Sequence, residues 1–197
     1  MLLRMHKQHG WVLGLLVLVS ACSSGEDATV RPNPANRKPA YFDMLGFLQQ
    51  QATLLNSRQP VVEKQVLLRD GQQEIARIAQ TDWSKELQIF QQADINKPAL
   101  RGLYQVDSAT TPEGFIRRTY RRQPGTEHPV TQLVVVSQGD AVQELVANVA
   151  QDNPLVYSAK TLELHCQNGQ LSTYQVRGVQ KLVLFDSVRY AVQGKVL

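Results

Sequence analysis

The feature that most constrains this chain is a series of short, β-rich segments in its second half, separated by residues that reverse the chain direction. These segments are residues 115–123, 130–137, 141–150, 155–166, 171–179 and 181–196, the last with a break possible at Asp186. Turn dipeptides lie between several of them: Gly139-Asp140, Asn153-Pro154 and Asn168-Gly169. Connections this short cannot hold the crossovers that parallel strands need, so the sequence predicts an antiparallel meander.

Two amphipathic helices and a hairpin are predicted upstream of the meander. Apolar residues recur every three or four positions over residues 41–57, which predicts a helix with one buried face. Residues 61–68 and 74–79 then alternate as strands do, around the turn dipeptide Asp70-Gly71. A second helix is predicted to begin after Asp82 as N-cap, to bury Trp83, Leu87 and Phe90, and to end before Pro98.

These elements predict an α+β domain in which a curved antiparallel β-meander sheet packs with the two amphipathic helices. Val188, Tyr190 and Val192 alternate with polar or small residues, as expected of a sheet with one covered face. A half-barrel that wraps its helices and a closed barrel with outside helices both fit this pattern. The half-barrel is analogous to lipoprotein carriers at the level of architecture alone.

The N-terminal segment has the features of an export signal. Arg4 and Lys7 precede an apolar run at residues 11–19 that is too short to span a bilayer, and Val19-Ser20-Ala21-Cys22 follows it. This tetrapeptide resembles the lipobox of bacterial lipoproteins. The resemblance implies that residues 1–21 are a signal peptide and that Cys22 carries palmitate-type acyl chains, whereas an ordinary signal with an incidental cysteine is the alternative.

The resemblance also implies a location in the cell envelope. Ser23 stands where an Asp favours retention at the inner membrane, so the outer membrane is expected, with the domain facing the periplasm or the cell surface. Residues 22–40 contain Pro32, Pro34 and Pro39 and few apolar side chains, which predicts a disordered tether. At about 3.1 Å per residue, its 18 residues after Cys22 would hold a single domain, residues 41–197, up to roughly 50 Å from the membrane.

Charge and cysteine content exclude several classes of protein. The chain has 21 basic and 17 acidic residues, and loss of Arg4 and Lys7 with the signal lowers its net charge from +4 to +2. Nucleic acid is therefore not expected as a partner. The only cysteines, Cys22 and Cys166, are too few for a disulfide-rich miniprotein or a cysteine zinc module, and no cofactor or metal is predicted.

The local concentration of charge is a group of arginines around Tyr120. Strand alternation places Arg117 and Arg121 on one face of the sheet, and Arg118, Tyr120 and Arg122 on the other. Guanidinium groups on both faces favour an exposed edge strand, where charge prevents aggregation. Alternatively, planar guanidinium forks beside an aromatic ring bind phosphate or carboxylate groups of lipid headgroups or envelope glycans.

A second polar cluster, Asp94, Asn96 and Lys97, lies where the second predicted helix ends. In one interpretation, Asp94 and Asn96 satisfy backbone groups at the helix end. A binding or catalytic role is the other interpretation. Residues 83–104 are also similar to a pattern in uncharacterised lipoproteins of Bacteroidetes, a resemblance that implies no particular activity or catalytic residue.

The remaining reactive side chains of the mature chain are few. His165 and Cys166 are neighbours on a predicted strand, so they point to opposite faces and cannot form a thiol protease dyad. Cys166 is predicted to be a core residue. His128 lies in a predicted loop, where it is expected to be accessible to solvent and without a specific role.

The sequence therefore favours a non-enzymatic envelope lipoprotein domain over an enzyme. The G-x-S-x-G, P-loop, H-E-x-x-H and G-x-G-x-x-G motifs do not occur. We expect the membrane-anchored domain to bind a partner protein or an amphiphilic or anionic ligand, such as a lipid or glycan, on its sheet. An envelope hydrolase that uses carboxylates near Asp94 is the alternative hypothesis.

Overall fold

A computed structural model describes residues 40–67 and 71–197. The predicted signal peptide, Cys22, the tether up to residue 39 and the first part of the Asp70-Gly71 turn lie outside the described residues. The elements of the described part are α1 (Met44–Arg58), β1 (Val62–Leu67), β2 (Gln73–Ile78), α2 (Trp83–Glu86), 3-10 helices at Gln88–Ala93 and Pro98–Leu100, β3 (Tyr104–Thr110), β4 (Ile116–Arg122), β5 (Val130–Gln138), β6 (Ala141–Asp152), β7 (Val156–Gln167), β8 (Gln170–Leu182) and β9 (Val188–Val196).

The nine strands form one antiparallel sheet in the order β2-β1-β9-β8-β7-β6-β5-β4-β3. Strands β3 to β9 are a continuous meander, and the β1–β2 hairpin extends it beyond β9. The sheet is curved and packs with the helices, which confirms the predicted fold class. It is not closed, because β2 and β3 are free edges, so the closed-barrel alternative is wrong.

The strand register separates two ends of the sheet, which we call proximal and distal. The proximal end contains the start of β3, the loop at residues 123–129 and the turns at residues 153–155 and 183–187. The distal end contains the turns at residues 111–115, 139–140 and 168–169. Tyr41, at the start of the described domain, packs on Tyr104 and therefore lies at the proximal end.

Helix α1 is close to its predicted bounds and covers one face of the sheet. Asp43 caps it by accepting the N–H of Gly46, and the helix ends at Gln59, which adopts a left-handed conformation. Its buried polar residue, Gln51, donates to the carbonyl of Gly169 at 2.8 Å and accepts the N–H of Leu171 at 2.9 Å. These bonds attach the helix to the β7–β8 turn at the distal end.

The second predicted helix is wrong in type and length. Asp82 is the N-cap, as predicted, but α2 makes a single turn and a 3-10 helix replaces it from Gln88 to Ala93. The spacing of the buried residues explains the 3-10 conformation. Leu87, Phe90 and Ala93 are buried and follow one another at intervals of three residues. Side chains at that spacing align on one face of a 3-10 helix.

Strand β3 was not predicted, and this changes the position of the arginine-rich strand. Only Tyr104 of β3 is buried, so the strand lacks the alternation that identifies a half-buried sheet segment. Because β3 pairs along β4, the arginine-rich β4 is an inner strand with neighbours on both sides. The prediction of an edge strand at residues 115–123 is therefore wrong.

Two tyrosine–glycine pairs join β8 and β9 on the helix-covered face. Tyr174 lies opposite Gly194, and Tyr190 lies opposite Gly178. A Cβ atom on Gly194 would lie 2.1 Å from Cζ of Tyr174, so the ring occupies the space that a side chain there would need. The hydrophobic core continues from this ring across the sheet to α1 and the 3-10 segment.

Among the described residues, no helix has the length and apolarity to cross a membrane.

We predict that Gly194→Ala destabilises the domain by about 1–3 kcal/mol, because the Tyr174 ring cannot move without breaking its packing. Trp83 and Phe90 contact that ring edge-on at centroid distances of 6.3 Å and 6.2 Å. Urea unfolding followed by circular dichroism measures the change. Gln193→Ala is the matched control, because Gln193 is exposed on the other face of β9. Equal unfolding midpoints for the two variants would contradict the prediction.

Candidate functional site

The polar cluster that follows the 3-10 helix holds the start of the domain in place. Asn96 accepts the N–H of Tyr41 at 2.9 Å and donates to the carbonyl of Phe42 at 2.6 Å. Asp94 is buried and accepts the N–H of Asn96 at 3.0 Å. Asp94 and Asn96 therefore satisfy backbone groups, as one of the two sequence interpretations predicted.

Lys97, the third member of that cluster, lines a different feature, a pocket of about 270 Å³ at the proximal end. Its lining residues are Gln92, Lys97, His128, Pro129, Val149, Gln151, Ser158 and Lys160. Lys160 comes from β7 and donates to Oε1 of Gln92 at 2.7 Å. Within the described residues, neither lysine has a carboxylate at salt-bridge distance. The pocket therefore holds two cationic side chains that form no salt bridge within the described residues.

His128 is a core-facing residue of this pocket, and the prediction that it is a solvent-accessible loop residue is wrong. Only 9% of its surface is exposed. Its Nδ1 lies 2.8 Å from the hydroxyl of Tyr104, which also lies 2.7 Å from the carbonyl oxygen of Val130. That carbonyl can only accept, so the tyrosine proton goes to Val130 and Nδ1 of His128 donates to the tyrosine oxygen. The neutral ring therefore has its proton on Nδ1, and Nε2 is left as an acceptor.

Burial and neighbouring cations disfavour the protonated form of His128. Burial lowers its pKa from the ordinary value of 6.5, and Lys97 and Arg122 lower it further, against an opposing effect of Asp94. Arg122 also donates a hydrogen bond to the main-chain carbonyl of His128. Asp94 and Lys97 belong to one predicted cluster and Arg122 to the other. All three thus act on His128, for which no specific role was predicted.

The arginines of β4 do not line this pocket. Arg121 pairs with Asp107 of β3, and the side chains of Arg117 and Arg118 are exposed. Tyr120 is buried and packs edge-on against Tyr41, with ring centroids 5.9 Å apart. The predicted guanidinium-and-tyrosine cluster is therefore dispersed: only Arg122 contacts the loop that carries His128.

The cysteine and the second histidine lie apart, as predicted from strand alternation. Cys166 is buried, and burial raises the pKa of its thiol to about 12, which disfavours the nucleophilic thiolate. His165 lies on the opposite face with Nε2 4.0 Å from Glu163, which also pairs with Arg177. In the part of the chain that the structure describes, no three histidine, cysteine, aspartate or glutamate side chains are placed to hold a metal ion.

Comparison with known proteins adds no relative to these observations: no protein family, curated protein or solved structure matches the chain. The chemistry of the pocket is therefore inferred from its own residues. Two ammonium groups and a ring nitrogen that can take up a proton suit an anionic group such as a phosphate or a carboxylate.

We predict that the domain loses stability as the pH falls below about 6.5, the unfolded pKa of histidine. Because the pKa of His128 is lower in the folded state, the unfolded chain binds the proton first, and acid favours unfolding. Urea unfolding of the wild type and His128→Gln between about pH 7.5 and pH 5 tests this, since the variant lacks this proton-linked loss. Parallel pH profiles for the two proteins would contradict it.

Proposed function

We propose that this protein is an envelope-anchored lipoprotein of non-enzymatic type whose domain binds an anionic group in the Lys97–His128–Lys160 pocket. The observation that carries this proposal is the convergence of these three side chains, from three separate segments, in a pocket whose lysines have no carboxylate at salt-bridge distance among the described residues. Lys97 is exposed and Lys160 is half-buried, and the two line one concavity together with His128.

The size and charge of the pocket define the class of ligand. A volume of about 270 Å³ suits a phosphate-bearing or carboxylate-bearing group of modest size. It is smaller than the roughly 300–1,000 Å³ typical of pockets that enclose whole drug-sized molecules. Hydrogen bonds from Lys97 and Lys160 to an anion would each contribute about 1.5–3 kcal/mol. An anion would also raise the pKa of His128 by opposing the effect of the neighbouring cations.

Two features support the envelope location. The lipobox-like sequence ends at Cys22, which would attach acyl chains directly before the segment leading to the domain. The first described residues also lie at the proximal end, next to the pocket, because Asn96 binds Tyr41 and Lys97 follows it. An anchored chain of this design would hold the pocket within reach of envelope lipids and glycans.

The hydrolase hypothesis has less support. Asp94, its candidate residue, uses one carboxylate oxygen to accept the N–H of Asn96, and that asparagine holds the chain at Tyr41 and Phe42. A carboxylate with this local role resembles a structural cap more than a general acid or base.

We predict that Lys97→Gln/Lys160→Gln weakens sulfate binding by more than about tenfold, because two charge-assisted hydrogen bonds are lost. Sulfate is the probe because its charge stays constant over the range in which histidine titrates. The matched control is Arg117→Gln/Arg118→Gln, which removes the same charge from exposed residues of β4. Amide chemical shifts followed during titration give both affinities. If the two double variants bind sulfate equally, the pocket is not an anion site.

We also predict that Cys22→Ala moves the full chain from the membrane fraction to the soluble fraction, because acyl chains are the proposed anchor. Ser23→Ala is the matched control, since it changes the neighbouring residue and leaves the thiol that would be acylated. Fractionation of cells that express each form provides the measurement. Unchanged membrane association of Cys22→Ala would disprove the lipid anchor and leave the sulfate experiment unaffected.

A further inference from the structure

Exposed apolar side chains gather at two neighbouring hairpin ends of the sheet, a surface that we call the apolar tip. Its members are Leu155, Tyr157, Leu182, Val183, Leu184 and Phe185. Leu184 is 97% exposed, and Leu155 and Phe185 are 71% and 68% exposed. Isolated apolar residues on a surface are ordinary, but six together at one projecting end indicate contact with another apolar phase.

The apolar tip has a defined backbone. The N–H of Val183 donates to the carbonyl of Leu155 at 3.1 Å, which joins the β8–β9 turn to the β6–β7 turn. Leu184 has a φ of +71°, in the left-handed region that a bulky side chain rarely adopts. The turn therefore accepts an unfavourable conformation while its largest aliphatic side chain points into solvent, and such local strain is typical of functional segments.

The strands beneath the apolar tip extend past their neighbours. Strands β6, β7 and β8 have 12, 12 and 13 residues, whereas β3 and β4 have seven each. The last pair of β8 with β9 is Gln180 with Val188, and β8 continues to Leu182. The tip is consequently a projection, which can enter a soft phase, and its Leu182 and Phe185 also line an open concavity of about 730 Å³ beside Val188 and Tyr190.

The position of the tip suggests what that phase is. It lies at the proximal end, the same end as the first described residues, through which the chain leads back to Cys22. A segment of 18 residues would let this end approach the bilayer that holds the acyl chains and would limit its separation from it to roughly 50 Å. Linkage of this kind turns a weak contact into an intramolecular one with a high effective concentration.

We propose that the apolar tip inserts into the interfacial layer of the bilayer to which Cys22 anchors the chain. This inference rests on the lipid anchor of the proposed function. Charge contributes little, because Lys181 and Arg189 at these hairpin ends are balanced by Asp152 and Asp186. Insertion is therefore driven by apolar contact and does not need anionic lipids.

The test uses the full chain, expressed in a bacterium that acylates lipoproteins, in phosphatidylcholine vesicles with or without brominated acyl chains, which quench tryptophan by contact. Leu184→Trp places a probe on the apolar tip, and Glu113→Trp places it on an exposed residue at the distal end. After subtraction of the wild-type emission, to which the buried Trp83 contributes, we expect about twofold quenching at position 184, because interfacial insertion reaches the headgroup and acyl boundary, and none at position 113. Phe185→Asp in the Leu184→Trp protein should restore the emission.

Flotation of the same vesicles separates the possible outcomes. If the protein floats and the tryptophan at position 184 is not quenched, the proposed insertion is wrong and the lipid anchor is supported. The apolar tip would then be a surface for a protein partner. If the protein does not float, the proposed lipid anchor is wrong, and the proposed insertion, which depends on that anchor, is wrong as well. Quenching that survives Phe185→Asp would also overturn the proposal, provided that circular dichroism shows an unchanged fold.

Discussion

The ring of Tyr174 is the contact on which the helical layer of this domain depends. It lies over Gly194, receives the edges of Trp83 and Phe90, and donates its hydroxyl proton to Glu86 at 2.6 Å. Glu86 in turn pairs with Lys64 of β1 at 2.5 Å, so its carboxylate joins two strands to α2. Burial and this carboxylate raise the pKa of Tyr174, which stays protonated as the donor. The segment that follows α2 packs on this ring through Phe90, and it carries the pocket residues Gln92 and Lys97.

Most of the meander could be predicted because its strands are half-buried and their alternation is a local property. Strand β3 could not, since an edge strand with only Tyr104 buried has a nearly polar sequence. The second helix was predicted in place but not in type, because the spacing of Leu87, Phe90 and Ala93 fits a 3-10 helix better than an α-helix. Local patterns thus located the elements other than β3, while pairing and burial decided what type each element is.

The candidate site was less predictable than the fold because its contacts are long-range. Lys97 and Arg122 were singled out for their charge, yet the residue that unites them, His128, looked unremarkable in its loop. Its burial follows from the hydroxyl of Tyr104, on the strand that the sequence did not reveal. Lys160 reaches the pocket through the register of β7, which no local pattern fixes. Because β3 was not predicted, neither the contact of Tyr104 with His128 nor the pocket that His128 lines could be predicted.

The two ends of the sheet differ in construction, and the difference bears on how the domain would meet a surface. At the distal end, Gln51 joins α1 to the β7–β8 turn, and polar atoms there bind one another. At the proximal end, the lysines of the pocket lack a carboxylate at salt-bridge distance and Leu184 lacks apolar cover among the described residues. A bilayer surface offers phosphate above and hydrocarbon below, within a few ångströms of depth. If the proposed anchor holds this end near a bilayer, the cationic side chains would face the phosphate layer and the projecting apolar ones the hydrocarbon, so the two proposals share one geometric premise.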